Sequence, residues 1–343
     1  MTAPPLLLAG HGSADPAGAA SFTALTARVA AMLASARVDV AGGFIELSPP
    51  PLSAAVAELA SRGHNRVVAV PVVLAAAGHA KGDVPAALAA QKERHPRLSF
   101  AYARPLGPHP LLLNLLAARI AEVLGPAAAS GGAGTSGGAG TSAAVRGGDE
   151  DEDATAVLVV GRGSTDPDAN ADLFKTSRFL WETQAKSGNR LMFAEAAFVS
   201  LARPGVAEGL ERCRRLGARR VIVARHFLFP GVLPDRACSQ ARAYAAAHPE
   251  MDVRCAGVLG DCDEVAEITV QRYREALAGD IRMNCDMCVY RAVLPGFEHR
   301  VGVPQRPHFH PAEPSVAHDH VHSMRDDARP GPPEHAADRR NSR

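Results

Sequence analysis

Apolar and polar positions alternate in blocks along this chain. Apolar runs at residues 5–9, 38–46, 66–74 and 98–102 predict strands, and the amphipathic stretches near 17–36, 50–63, 82–94 and 109–124 predict helices. Pro51, Pro85 and Pro110 stand where first-turn prolines are tolerated. Strand and helix in strict alternation predict an α/β fold, a parallel sheet covered on both faces. Ligands of such sheets bind beyond the carboxyl ends of the strands.

The pattern then repeats, down to individual residues. Gly10-His11-Gly12-Ser13, followed by Asp15-Pro16, returns as Gly161-Arg162-Gly163-Ser164, followed by Asp166-Pro167. Each copy sits behind an apolar run, Leu6–Ala9 and Val157–Val160. Phe44-Ile45-Glu46-Leu47 lines up with Phe198-Val199-Ser200-Leu201, Val68-Ala69-Val70 with Val221-Ile222-Val223, and Pro105-Leu106-Gly107 with Val258-Leu259-Gly260. Gly78 and Gly231 also correspond, and the next residue is His79 in one copy and Val232 in the other.

The chain therefore reads as two copies of one unit that share a fold and differ in chemistry. Where the first copy has a potential ligand or base (His11, Glu46 and His79), the second has Arg162, Ser200 and Val232. Scattered divergence does not predict loss at all three positions. The three residues are expected to form one site, in the first half alone. His11 follows the first strand, Glu46 ends the second and His79 follows the third, so all three fall at one edge of one sheet.

Composition marks the boundaries. At 343 residues the chain suits two domains of ordinary size, here 1–125 and 154–280. Residues 126–153, two Gly-Gly-Ala-Gly-Thr-Ser copies and an acidic run, read as a flexible linker. Residues 281–343 hold a Cys-x-x-Cys segment and a Pro-, His- and Arg-rich tail, expected to be disordered. The formal net charge of +1 gives no global signal for nucleic acid or a membrane surface. No apolar run is expected to supply the ~20 residues of a membrane helix. Six cysteines without regular spacing do not suggest a secreted disulfide framework, and a cytoplasmic protein is expected.

Two histidines and a carboxylate suit a divalent metal site, and the imidazoles suit proton acceptance equally well. An arginine at the position of His11 can do neither near neutral pH. The glycines around His11 form no G-x-S-x-G elbow, dinucleotide fingerprint or P-loop. They more simply let the backbone approach a ligand. Cys285 and Cys288 are open to three readings: an iron–sulfur cluster, structural zinc, or free thiols. Two thiolates cannot complete a four-ligand site, and the remainder would come from Cys255, Cys262, His299 or a second subunit in a homodimer. His308, His310, His318, His320 and His322 are a candidate metal store.

Taken together, Gly10-His11-Gly12-Ser13 with Asp15-Pro16, Phe44-Ile45-Glu46-Leu47 and Gly78-His79-Ala80-Lys81-Gly82-Asp83-Val84-Pro85 resemble the sirohydrochlorin chelatases. The two-copy arrangement and the cysteine-bearing tail resemble their long, cobalt-inserting branch, used in cobalamin synthesis. The resemblance covers residues 5 to about 290. It implies a class II chelatase fold, two similar α/β domains facing across a cleft. It implies a lyase that inserts Co²⁺ into a polycarboxylate tetrapyrrole without ATP. His11 and His79 would bind the metal and accept protons, with Glu46 assisting. Iron insertion for siroheme is the alternative within the family, and a non-catalytic metal-delivery protein the alternative outside it. The tetrapyrrole's carboxylates call for cationic donors, for which Arg162, Arg203, Arg225 and Arg236 are candidates. The first half departs from the pattern at Gly18-Ala19, where the second keeps Ala169-Asn170.

Overall fold

The computed structural model describes residues 3–125, 154–186, 191–280, 290–291, 293 and 298–303. The expected linker, Cys285, Cys288 and the histidine tail lie outside the described residues. In the first half, strands β1 (Leu6–Gly10), β2 (Val40–Phe44), β3 (Arg66–Pro71) and β4 (Ser99–Tyr102) form a parallel sheet of order β2-β1-β3-β4. They alternate with helices α1 (Pro16–Leu33), α2 (Leu52–Ser61), α3 (Val84–Arg94) and α4 (Pro110–Leu124). The second half repeats this with β5 (Thr155–Gly161), β6 (Ala194–Phe198), β7 (Arg220–Arg225) and β8 (Asp252–Cys255), in the order β6-β5-β7-β8. Its helices are α5 (Pro167–Lys186), α6 (Val206–Arg215), α7 (Val232–Ala247) and α8 (Asp263–Leu277).

Every expected strand and helix of the first half is present, most within two residues of its expected ends. One alignment shifts. Leu6 pairs with Val68 while its counterpart Val157 pairs with Ile222, so Val68 corresponds to Ile222 and not to Val221. A strand buried on both faces is apolar throughout and offers no period by which to fix its register.

The two sheets do not enclose two separate cores. Helix α4 packs on β7 of the second sheet, and α8 packs on β3 and β4 of the first. Each half thus covers one face of the other's sheet with its last helix. Alternate strand residues show the result. Leu7 and Ala9 point to an outer layer with Leu52, Val56, Leu59 and Leu88, whereas Leu6 and Leu8 point to a core shared with Leu116, Val157, Val159 and Ile268. Arg272 of α8 is fully buried in this exchange. It donates to the carbonyls of Pro105 (2.8 Å) and Leu106 (2.9 Å) and pairs with Glu275, which also holds Arg104 of the first half.

Helix α1 with the turn after it, Pro16–Ala36, corrects one expectation. It is 21 residues long, and an 18-residue stretch of it has a mean hydropathy of 1.3, so it is long and apolar enough to cross a membrane. Alanines spread around the helix supply that average. It packs by one face only: Gly18, Phe22, Leu25, Val29 and Leu33 are buried at three- and four-residue spacing, and Arg28 pairs with Asp263.

In each sheet the chain winds outward in opposite directions from β1 and β3, or from β5 and β7. The crevice at this switch point opens at the carboxyl ends of the strands. In the first half His11 directly follows β1, and His79 lies beyond β3.

Candidate active site

Backbone bonding between two loops sets His11 against Glu46. The Ile45 N–H donates to the Gly10 carbonyl (2.9 Å), and the Glu46 N–H to the His11 carbonyl (3.1 Å). Gly12 has φ +110°, and a Cβ there would stand 1.8 Å from the Glu46 carbonyl oxygen, so the approach requires glycine. The outcome is a 2.7 Å contact between His11 Nε2 and Glu46 Oε1, with His11 Nδ1 3.1 Å from the Gly12 carbonyl. Both partners accept, so a second proton on the ring is met by a carboxylate already in place.

The Ser13 backbone is secured by Ser48. The Ser13 N–H donates to Ser48 Oγ (3.0 Å), and Ser48 Oγ donates to the Ser13 carbonyl (2.8 Å). In the second half Asn170 makes the same two bonds to Ser164, at 2.9 and 2.8 Å. The departure at Gly18-Ala19 is thereby explained. Ala19 stands where Asn170 stands, and the missing amide is replaced from another loop. Gly18 is required because a Cβ would lie 2.8 Å from the Pro230 carbonyl oxygen of the second half.

His79 opens a turn of π-helix, His79–Asp83, that runs into α3. The matching segment of the second half is α-helical from Val232 onward. Single π turns inside helices recur at functional sites. Here the turn sets His79 Nδ1 2.6 Å from Asp83 Oδ2. Asp83 is buried, and its carboxylate accepts the Nδ1–H, which leaves the lone pair on Nε2. Burial lowers the His79 pKa to about 4 despite the Asp83 hydrogen bond, so the ring is neutral at pH 7. The His11 and His79 rings meet edge to face with centroids 3.9 Å apart.

The second half reaches into this site. Arg162, the counterpart of His11, donates from Nη1 to His79 Nε2 at 2.8 Å. Burial lowers its pKa, and the charges of Glu46 and Asp83 oppose that shift. Lys81, from the same π turn as His79, crosses to Asp166 (2.7 Å) and Asp168 (3.0 Å) at the start of α5. Burial alone would lower the Lys81 pKa; the two carboxylates outweigh it and raise it. Arg225 donates from Nε to the Ala256 carbonyl, and exposed Arg203 pairs with Glu208.

His11, Glu46 and His79 therefore converge as expected. Among the described residues, no group of three or more His, Cys, Asp or Glu side chains is disposed to hold a metal ion. The histidine nitrogens face internal partners instead.

The CbiX family model matches residues 5–123 and 156–276, one half after the other. The chain belongs to the CbiX family. Over 286 residues this CbiX chain is 34% identical to the sirohydrochlorin cobaltochelatase of Priestia megaterium, spanning 83% of this chain and 84% of that one. It is 28% identical over 190 residues to the sirohydrochlorin ferrochelatase of the same organism, spanning 55% of this chain and 60% of that one. The sirohydrochlorin chelatase SirB from Bacillus subtilis subspecies spizizenii, solved in complex with cobalt, shares its fold. The TM-score is 0.61 at 21% identity, covering 80% of this chain and 96% of that one. The CbiX chain is a sirohydrochlorin chelatase with the class II chelatase fold.

Sequence reasoning on this CbiX chain missed Asp83, Ser48 and Lys81 as parts of the site. The four-residue spacing of His79 and Asp83 on a helix was a usable signal. The roles of Ser48 and Lys81 depend on loops brought together by the tertiary fold. Cys255, a candidate to complete a cluster with Cys285 and Cys288, is instead joined to Cys238 in a disulfide. Cys262 is a free thiol whose pKa is raised by burial.

Proposed function

We propose that this CbiX-family chelatase inserts Co²⁺ into sirohydrochlorin. In this reading His79 is the ligand for the incoming metal, and His11 backed by Glu46 takes the pyrrole protons. The observation that carries the division of labour is the opposite setting of the two rings. Burial holds His79 neutral and Asp83 fixes its tautomer, so Nε2 presents a lone pair, which is what a ligand needs. His11 has a carboxylate oxygen 2.7 Å away, which stabilises the ring once protonated, as an acceptor needs.

The reaction sets two demands. The macrocycle must lose two N–H protons as the metal enters. The protein must also bind the ion weakly enough to release it. A single imidazole ligand meets the second demand for Co²⁺, Fe²⁺ or Ni²⁺ alike. His11, with the Glu46 carboxylate against its ring, meets the first. Asp83 and the π turn hold the His79 ring by its Nδ1 while this happens.

Support for cobalt over iron comes from the extent of likeness: 34% identity across 83% of the chain to a cobaltochelatase, against 28% across 55% to a ferrochelatase. The test is an anaerobic insertion assay with sirohydrochlorin and Co²⁺, Fe²⁺ or Ni²⁺ in turn, followed by the change in visible absorbance. The expected result is the highest kcat/KM with Co²⁺. A higher value with Fe²⁺ would assign the chain to siroheme synthesis instead.

A further inference from the structure

We infer that Arg162 is a gate on the metal-binding nitrogen, opened by a carboxylate of the tetrapyrrole. The inference rests on the reading of His79 as the metal ligand and adds to it an order of events. His79 Nδ1 is committed to Asp83, so Nε2 is the nitrogen that would meet a metal. Arg162 Nη1 lies 2.8 Å from that nitrogen. A guanidinium only donates, so it uses the same lone pair that a metal would use. One lone pair cannot serve both.

Charge strengthens the exclusion. A guanidinium is cationic at any pH the protein meets, so a divalent ion at His79 Nε2 would lie within a few ångströms of a like charge in a partly buried site. Arg162 already sits in the field of Glu46 and Asp83, the carboxylates that would otherwise attract the ion. It occupies the cation's place electrostatically as well as sterically.

The loop carrying Arg162 is held in place, so opening the gate is a motion of the side chain. Its backbone is the counterpart of the His11 loop. The Ser200 N–H and Oγ both donate to the Arg162 carbonyl, at 3.0 and 3.1 Å. Asn170 secures the following Ser164. The partner best able to draw the side chain off an imidazole is a carboxylate, which takes the guanidinium fork in two parallel charge-assisted bonds. Sirohydrochlorin is a polycarboxylate. Its arrival would move Arg162 from His79 to a substrate carboxylate, free Nε2 and remove the repulsion in one step. Metal and tetrapyrrole binding are then positively coupled, and the coupling is reciprocal. The residue that replaced His11 in the second half has become the latch on the first half's site.

The test uses full-length protein and Co²⁺ alone, by calorimetry, with wild type, R162M, R162Q, H79A and the R162M/H79A double variant. Thermal melts confirm that each variant is folded. The His79-dependent part of cobalt binding should tighten by at least about fivefold in both R162M and R162Q, the low end of typical coupling between sites. The gain should vanish in R162M/H79A. In turnover, the apparent KM for cobalt should fall as sirohydrochlorin rises in wild type and be independent of sirohydrochlorin in R162M. A purely structural role for Arg162 predicts weaker metal binding and does not alter that dependence. Unchanged or weaker cobalt binding in both arginine variants, with H79A still losing its component, overturns the gate and leaves the ligand assignment standing. Cobalt binding unaffected by H79A in either background overturns the ligand assignment, and the gate with it.

Discussion

Ser48 holds both the N–H and the carbonyl of Ser13, at 3.0 and 2.8 Å, and so secures the loop that presents His11. Its counterpart in the second half is Ala202, and the same two bonds there come from Asn170. The halves have kept one backbone geometry and exchanged the side chain that supports it.

This exchange can be reversed. Ser48→Ala leaves two backbone groups of a partly buried loop without their partner, which costs about 1–3 kcal/mol. Chelation should fall as His11 loses its fixed position. Adding Ala19→Asn should recover most of both losses, because the amide then stands where Asn170 stands. Denaturant melts and insertion rates of the single and double variants check this. Failure of Ala19→Asn to improve on Ser48→Ala in either measurement would count against the equivalence.

Asp83 should matter through His79 rather than through the fold. Asp83→Asn keeps the shape and removes the charge that makes the imidazole a better ligand. Outer-shell partners of this kind typically alter metal affinity by about 10- to 100-fold. The expected signature is a raised KM for cobalt with an unchanged KM for sirohydrochlorin, read from initial rates with each substrate varied.

His226 gives a pH-dependent prediction away from the reaction. It follows β7 at the position of Val72, and its Nε2 is buried with no hydrogen-bond partner among the described residues. Burial lowers its pKa to about 4. The unfolded chain therefore binds a proton near pH 6.5 that the folded chain refuses until about pH 4. Stability is full above the unfolded value and falls as pH drops through that window, by up to about 3 kcal/mol from this residue. His226→Val should flatten the decline between pH 6.5 and 4 and leave stability at pH 8 equal or higher. Denaturant melts across that range decide it; equal slopes for both proteins would contradict the assignment.

Much of this was legible in the sequence because the determinants are local. Runs of apolar residues placed β1 to β4, and the loss of His11, Glu46 and His79 together in the second copy marked one asymmetric site. What escaped depends on which surfaces meet. The apolar stripe of α4 announces that it is buried, but not that it lies on β7 rather than on its own sheet. Cys238 and Cys255 are 17 residues apart on α7 and β8, and their pairing follows from how that helix crosses the strand. The sequence marks Arg162 only as a candidate donor to the tetrapyrrole's carboxylates. Its contact with His79 arises only when two loops separated by 83 residues face each other across the halves.

In the proposed mechanism the first half's histidines perform the insertion, with distinct roles. The most direct measurement is the single-turnover rate of cobalt insertion into sirohydrochlorin by wild type, His11→Ala and His79→Ala, each shown to be folded by its thermal melt. Both variants should lose insertion. His79→Ala should also lose site-specific cobalt binding, and His11→Ala should retain it. Insertion at the wild-type rate by folded His79→Ala protein would overturn the assignment of His79 as the metal ligand.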